Sequence, residues 1–195
     1  MRRRAVFLDR DGVLNHPVIR EGRPYPPMSA AEFDLYDGVP EACARLKAAG
    51  FLLVVVTNQP DVGRGTQSQA AVEAMHVKLR RTVPSLAGIE ICFHAGDEHG
   101  EPCDCRKPKP GMLLRAAAAH EIDLTQSYLV GDRWRDVDCA HAAGCRAVFI
   151  DHNYRESLRK RPHFTATTFG EATQIILCDA AVQIELPPPV VRATI

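Results

Sequence analysis

Apolar positions along the chain fall into short runs separated by stretches of helical spacing. Arg4 to Asp9 is a β-branched and aromatic run that ends at an aspartate. Phe51 to Val56 is apolar throughout, the pattern of a strand buried on both faces. Ile89 to Phe93, Ser127 to Val130 and Arg146 to Ile150 supply further strands. Between them lie helices with legible ends. Asp37 is placed to cap one that has Pro40 in its first turn, carries Val39, Cys43 and Leu46 on one face, and stops at Gly50. Ser68 is placed to cap a second, with Val72, Met75, Leu79 and Val83 spaced by three and four. Pro110 opens a third that runs to about Glu121, and a fourth covers Trp134 to Ala143 before Gly144.

This alternation predicts an α/β fold: a doubly wound, mostly parallel sheet with helices on both faces and no large cap domain. In such sheets ligands bind outside the carboxyl ends of the strands. Two segments break the pattern. His16 to Met28 holds four of the fourteen prolines and reads as a loop or flap over the first strand's end. Residues 1–178 read as one domain and 179–195 as a C-terminal extension. In that extension Val182 to Leu186 alternates like a short edge strand before Pro187, Pro188 and Pro189.

Composition narrows the function. Twenty-four basic residues balance twenty-four acidic ones, so net charge points neither to nucleic acid nor to an anionic membrane. The longest apolar run, Phe51 to Val56, is too short to span a bilayer, and the run after Arg2, Arg3 and Arg4 breaks at Asp9. A cytoplasmic protein is expected. In that setting seven cysteines read as metal ligands or inert side chains, not as a disulfide framework. Cys43, Cys139, Cys145 and Cys178 have no close ligand-type partner and are expected to be small, buried and inert.

The chemistry gathers at the strand ends. The first strand leads into Asp9-Arg10-Asp11-Gly12, a carboxylate pair suited to a hard cation and to dividing labour between nucleophile and acid. The second ends in Thr57-Asn58-Gln59, a hydroxyl and two amides able to donate to phosphate oxygens. Arg106-Lys107-Pro108-Lys109-Pro110-Gly111 places cations beside a helix N-terminus, a natural anion site. The fourth strand ends in Val130-Gly131-Asp132-Arg133, with Asp136 and Asp138 following; an acid there can complete a cation site begun by Asp9 and Asp11.

Acid pair, hydroxyl, lysine and acid in this order resemble the haloacid dehalogenase superfamily of phosphohydrolases, over residues 4 to 178. The resemblance implies its Rossmann-like core and a catalytic set of Asp9, Asp11, Thr57 and Lys107. Asp9 would attack phosphorus and Asp11 would serve as acid and then base. Thr57 and Lys107 would hold the phosphoryl oxygens, and Asp9, the Asp11 carbonyl and Asp132 would bind Mg²⁺. The physics agrees, because an anionic group in transfer needs positioning and neutralising charge.

A second constellation is Cys92-Phe93-His94 followed by Cys103-Asp104-Cys105. Three thiolates and an imidazole satisfy tetrahedral zinc with no open position, so Cys92, His94, Cys103 and Cys105 read as a structural Zn²⁺ site stapling the loop before Arg106 and Lys107. His99 in that loop and His16 near the first strand read as solvated or filling residues. The zinc loop beside the acid pair is similar to the heptose bisphosphate and histidinol-phosphate phosphatase families. Cys103 to Met112, and Thr57-Asn-Gln with Arg64-Gly65, look more like the heptose branch. That likeness implies substrate contacts from Asn58, Arg106, Lys107 and Arg133. The implied partner is a small phosphorylated metabolite, a sugar bisphosphate, handled by a monomer or weak homodimer. Arg20 and Arg23 in the flap are the nearest basic residues for a second phosphate. Two features depart from the heptose branch: the proline-rich flap, and Pro60-Asp61 after Gln59. A carboxylate there repels a doubly phosphorylated sugar unless a basic partner intervenes. Histidinol-phosphate or another sugar phosphate stays open as substrate. A non-catalytic phosphosugar-binding or zinc-scaffolded protein is the alternative of another class, against which Asp9 and Asp11 argue.

Overall fold

The computed structural model describes residues 2–20, 23–100 and 102–185. In chain order they form β1 (Ala5–Leu8), the hairpin β2 (Val18–Arg20) and β3 (Arg23–Tyr25), α1 (Val39–Ala48), β4 (Leu52–Asn58), α2 (Pro60–Gly63) and α3 (Gln69–Thr82). Then come β5 (Leu86–Cys92), α4 (Gly111–His120), β6 (Tyr128–Gly131), α5 (Trp134–Ala143), β7 (Arg146–Ile150), β8 (Phe164–Ala166) and α6 (Phe169–Glu185). Six strands pair in parallel in the order β5-β4-β1-β6-β7-β8. β1 is central: the chain runs outward from it through β4 and β5, then returns to its other side at β6. Such a reversal opens a crevice at the carboxyl end of β1.

Alternation along each strand sorts side chains to two faces. Val6 and Leu8 of β1, with Leu53 and Val55 of β4, join a core with α1, α3 and α6. Ala5 and Phe7, with Val54 and Val56, join the core beneath α4 and α5. Both faces are covered, so β1 and β4 are apolar at consecutive positions, as a buried parallel strand requires.

Some local expectations need correction. The proline-rich stretch is not all loop, since Val18–Arg20 pairs antiparallel with Arg23–Tyr25. Asp37 does not cap α1; Gly38, at φ 77°, occupies that position without any side-chain cap. Ser68 does cap α3, its Oγ accepting from Ala71 N–H at 3.1 Å. Val182 to Glu185 continue α6 and form no strand, while Leu186 and the three prolines lie outside the described residues. Burial of Phe169, Ala172, Ile176 and Ala180 at three- and four-residue spacing keeps this segment helical. Cys43, Cys139 and Cys145 are buried, but Cys178 is exposed, because it lies on the arc of α6 opposite Ile176 and Ala180. Among the described residues no helix is long and apolar enough to cross a membrane.

A polar knot also ties α6 to the sheet. Asp179 accepts from Tyr128 Oη at 2.5 Å, from Gln183 Nε2 at 2.7 Å, and from the Arg146 guanidinium. Hydrogen bonds to a charged group are worth roughly 1.5–3 kcal/mol each when part-buried, and three donors lose their acceptor together. Asp179→Ala is therefore expected to lower unfolding free energy by about 1–3 kcal/mol, read from the urea midpoint. An unchanged midpoint would leave α6 anchored by its apolar face alone.

Candidate active site

Three carboxylates converge where β1 meets β6. Asp9 follows β1, Asp132 follows β6, and Asp136 lies in the first turn of α5; one oxygen from each falls within 4.8 Å of the others. Gly12 makes the approach possible. Its φ is +86°, and a Cβ there would stand 2.1 Å from Asp132 Oδ2. Lys107 enters from the opposite side with 2% exposure, its Nζ 2.9 Å from Asp9 Oδ1 and 2.6 Å from Asp136 Oδ1. Burial works against that ammonium, but Asp136 and Asp9 hold its pKa above the ordinary lysine range. Burial pushes the Asp9 carboxyl up to about 6, with Lys107 opposing and Asp136 adding to the rise. Asp132 is raised well above a normal carboxyl, first by burial and then by Asp9 and Asp136.

Three acids against one lysine leave an excess of negative charge in a buried place. Asp132 Oδ1 is buried there with no hydrogen-bond partner among the described residues. An oxygen-only donor set with an unsatisfied carboxylate fits a small hard divalent cation. Of the residues expected to bind it, Asp9 and Asp132 are in place. Asp136 was not anticipated as a ligand. The available signal was its spacing: four residues past Asp132, one helical turn into a helix that starts at the sheet edge.

The Asp11 carboxylate stays out of this cluster. Arg10, fully buried, grips it with Nε at 3.2 Å from Oδ1 and Nη2 at 3.0 and 2.9 Å from the two oxygens. Asn15 Nδ2 donates to Oδ1 at 3.0 Å and Gln59 Nε2 to Oδ2 at 2.8 Å. Burial alone would raise its pKa, but Arg10 and these donors hold it below the ordinary value. Arg10 Nη1 lies 3.1 Å from His76 Nε2 of α3. Burial, then Arg10, push that imidazolium down to about 4, so the ring is neutral.

Thr57 is buried behind the pocket, its Oγ1 accepting from Gln59 Nε2 at 2.9 Å, which leaves its own O–H to donate. Asn58 lies on the pocket wall with its amide committed to the Lys107 backbone: Nδ2 donates to Lys107 O, and Oδ1 accepts from Lys107 N, both at 3.1 Å. It positions the lysine loop. Gln59, read from the sequence as a donor to phosphate oxygens, instead gives its amide N–H groups to Thr57 and Asp11.

Cys92, His94, Cys103 and Cys105 form a second cluster, with ligand atoms within 4.8 Å of one another. Cys92 Sγ to Cys103 Sγ is 3.8 Å, Cys92 Sγ to His94 Nδ1 3.5 Å, and Cys105 Sγ to His94 Nδ1 3.3 Å. Tetrahedral zinc, with bonds of about 2.3 Å to sulfur and 2.0 Å to nitrogen, needs separations of about 3.8 and 3.5 Å. The set fits. Burial raises the Cys103 thiol, but the N–H of Arg106 and other nearby donors bring it below its usual range. The cluster packs against α2, where a Cβ on Gly63 would come within 2.4 Å of Phe93 O.

A pocket of about 280 Å³ opens over the acids and reaches from Asp9, Asp132 and Lys107 to Arg64, Arg106 and Arg135, with Tyr25 of β3 at its edge. Arg106 Nη1 is buried without a hydrogen-bond partner among the described residues. Burial, then the cations Arg135 and Arg64, depress the Arg106 pKa. Arg133 also lines the pocket, but Glu156 holds its Nε at 2.6 Å and Nη2 at 3.1 Å. The side chains of Arg20 and Arg23 lie outside the described residues. His16 lies against Tyr36, the ring centroids 3.8 Å apart and the planes tilted by 48°, and His99 is half-exposed beside Glu98.

A family model described as HAD-hydrolase-like matches residues 104–172. The chain is 42% identical over 149 residues to the D-glycero-β-D-manno-heptose-1,7-bisphosphate 7-phosphatase of Yersinia pestis, covering 71% of this chain and 75% of the relative. The enzyme of that name from Pseudomonas aeruginosa is 37% identical over 157 residues, with 77% and 82% covered. Among solved structures, a D,D-heptose 1,7-bisphosphate phosphatase from B. bronchiseptica, complexed with magnesium and phosphate, matches with a TM-score of 0.78 at 28% identity. The match covers 90% of this chain and 99% of that one. With its acid cluster, buried lysine and parallel sheet, the chain belongs to the heptose bisphosphate phosphatase family of haloacid dehalogenase-like hydrolases, and is a phosphatase of phosphomonoesters.

Proposed function

We propose that the protein removes the 7-phosphate of D-glycero-β-D-manno-heptose 1,7-bisphosphate in the cytoplasm. The observation that carries this reading is a pocket with two unlike anion-binding ends. One end has Lys107 among carboxylates that suit a cation, the arrangement a transferring phosphoryl group needs. The other has Arg64, Arg106 and Arg135, three cations close enough for Arg135 and Arg64 to lower the Arg106 pKa, which suits a phosphate that does not react. A ligand phosphorylated at both ends matches both, and the names of the relatives agree.

In this reading an Asp9 oxygen attacks phosphorus and the bond to the sugar oxygen breaks, with Asp11 in its protonated form, the minor one while Arg10 grips it, giving that oxygen its proton. Asp11 then takes a proton from the water that attacks the phosphorylated Asp9. Inorganic phosphate leaves and the Asp9 carboxylate is restored. Lys107 and the Thr57 hydroxyl hold phosphoryl oxygens. Arg106 and Arg135 take the remote phosphate, and Arg133, fixed by Glu156, borders the sugar. Mg²⁺ held by Asp9, Asp132, Asp136 and the Asp11 carbonyl would supply neutralising charge for the phosphoryl oxygens. Zn²⁺ at Cys92, His94, Cys103 and Cys105 would fix the loop that delivers Arg106 and Lys107.

Asp9→Asn is expected to abolish phosphate release while leaving the circular dichroism spectrum unchanged, because an amide is a poor nucleophile. Near-normal turnover would move the nucleophile elsewhere.

The metals should separate by lability. Brief EDTA treatment removes activity that added Mg²⁺ restores, whereas zinc stays near one equivalent by elemental analysis. Cys103→Ser should lose zinc and melt at lower temperature, since binding at such a site is coupled to folding. Unchanged zinc content and melting in that variant would count against a structural site.

Substrate choice is tested by a phosphate-release panel of both heptose bisphosphate anomers, fructose 1,6-bisphosphate and histidinol phosphate. The β-heptose bisphosphate should have the highest kcat/KM. Arg106→Ala/Arg135→Ala should cut that value about tenfold or more, the ~1.4 kcal/mol of one charge-assisted contact, and spare a monophosphate. Equal losses on both substrate types would mean that these arginines do not read a second phosphate.

A further inference from the structure

We propose that His76 is a positioning residue: it fixes the guanidinium of Arg10, and Arg10 in turn holds the Asp11 carboxylate ready to take a proton from the hydrolytic water. The inference rests on the acid–base role given to Asp11 under the proposed function and adds a residue that never reaches the pocket.

His76 sits on α3, 6% exposed, in the same buried turn as Met75 and Leu79. Apolar residues would satisfy that face of the helix, so packing does not explain an imidazole. Its partner does. Arg10 is 0% exposed and carries five N–H groups that cannot be given up. Nε and Nη2 are directed at Asp11, and the Phe33 ring lies 5.6 Å from the guanidinium carbon. That leaves Nη1, whose contact is His76 Nε2 at 3.1 Å. An arginine can only donate, so Nε2 accepts and the ring proton stays on Nδ1. Without an acceptor at this point a buried cationic N–H goes unpaired, and the guanidinium plane is free to turn toward another oxygen.

The turn would be felt at Asp11. Arg10 makes three of the five hydrogen bonds to that carboxylate; Asn15 and Gln59 make one each, to opposite oxygens. The two amides cannot hold it alone in the same plane, because each contacts a single oxygen while the bidentate fork sets both. Loss of the fork's orientation slows the half-reaction that depends on Asp11 most: proton removal from water as it attacks the phosphorylated Asp9.

The test isolates that half-reaction by using p-nitrophenyl phosphate with the Mg²⁺-loaded enzyme, since nitrophenolate leaves without help from an acid. Turnover is quenched with acid, and the fraction of chains carrying a phosphoryl group is read by intact mass. His76→Leu is expected to lower kcat about tenfold and to lower KM with it, because the phosphorylated form accumulates severalfold above wild type. His76→Gln puts an amide oxygen close to the position of Nε2 and should restore both values. A mere packing defect lowers the amount of active enzyme without raising its phosphorylated fraction. Should His76→Leu fail to fold, His76→Asn takes its place, polar but too short to reach Nη1, with the same expected accumulation. Asp11→Asn is the reference. Accumulation there but not in the Leu or Asn variant overturns the clamp alone, as does a Gln variant no better than Leu or Asn. No accumulation in Asp11→Asn overturns the role of Asp11 and the clamp with it.

Discussion

One buried ammonium holds the site together. Lys107 lies between Asp9 and Asp136, and its backbone is clasped by Asn58, so four separate segments meet at a single residue. Charges are costly to bury, and removing one partner of such a set typically costs about 3–5 kcal/mol because the others are left uncompensated. β1, β4, α5 and the loop that carries Lys107 therefore cannot shift independently. The excess of carboxylates over lysine is the other half of this constraint. It makes the resting site electrostatically incomplete, and a cation together with an anionic substrate completes it.

Fold class, and the polar residues that the fold gathers at the sheet edge, were legible in the sequence because they depend on local patterns. Continuous apolar strands, Ser68 and Gly144 as helix punctuation, and aspartates at strand ends each carry their meaning within a few residues. What escaped depends on distant partners. β8 is three residues long, with an exposed threonine between Phe164 and Ala166, and exists because β7 offers it an edge. Val182 alternates with its neighbours as a strand would, yet Asp179 and the apolar face of α6 keep the segment helical. Asp136 and Gln59 read in the chain only as one more acid and one more amide near a strand end. Their significance appears only once Lys107 and Asp11 are beside them.

Asp61 shows how a local departure is absorbed by its surroundings. It brings a carboxylate to the rim of a pocket suited to phosphates, where it repels them. Arg64, one turn on, lies 3.6 Å from it and also reaches Glu98, in the loop between Cys92 and Cys103, at 3.0 Å. The rim is thus a small network of alternating sign, while deeper in, Arg106 Nη1 is buried with no hydrogen-bond partner among the described residues.

The central position of β1 also sets an order of assembly. β1 leaves a ribosome well before β6: Val6 pairs with Tyr128 and Leu8 with Val130, partners that emerge more than a hundred residues later. Until then β1 has β4 on one side and an open edge on the other, and Asp9 lacks Asp132 and Asp136. Closing so long a loop is entropically slow, and parallel pairing of this kind ranks among the later events of folding. Asp9 is thus made before the acids that surround it, so a nascent chain that already holds Asp9, Thr57 and Lys107 still has an unfinished acid cluster and an exposed sheet edge.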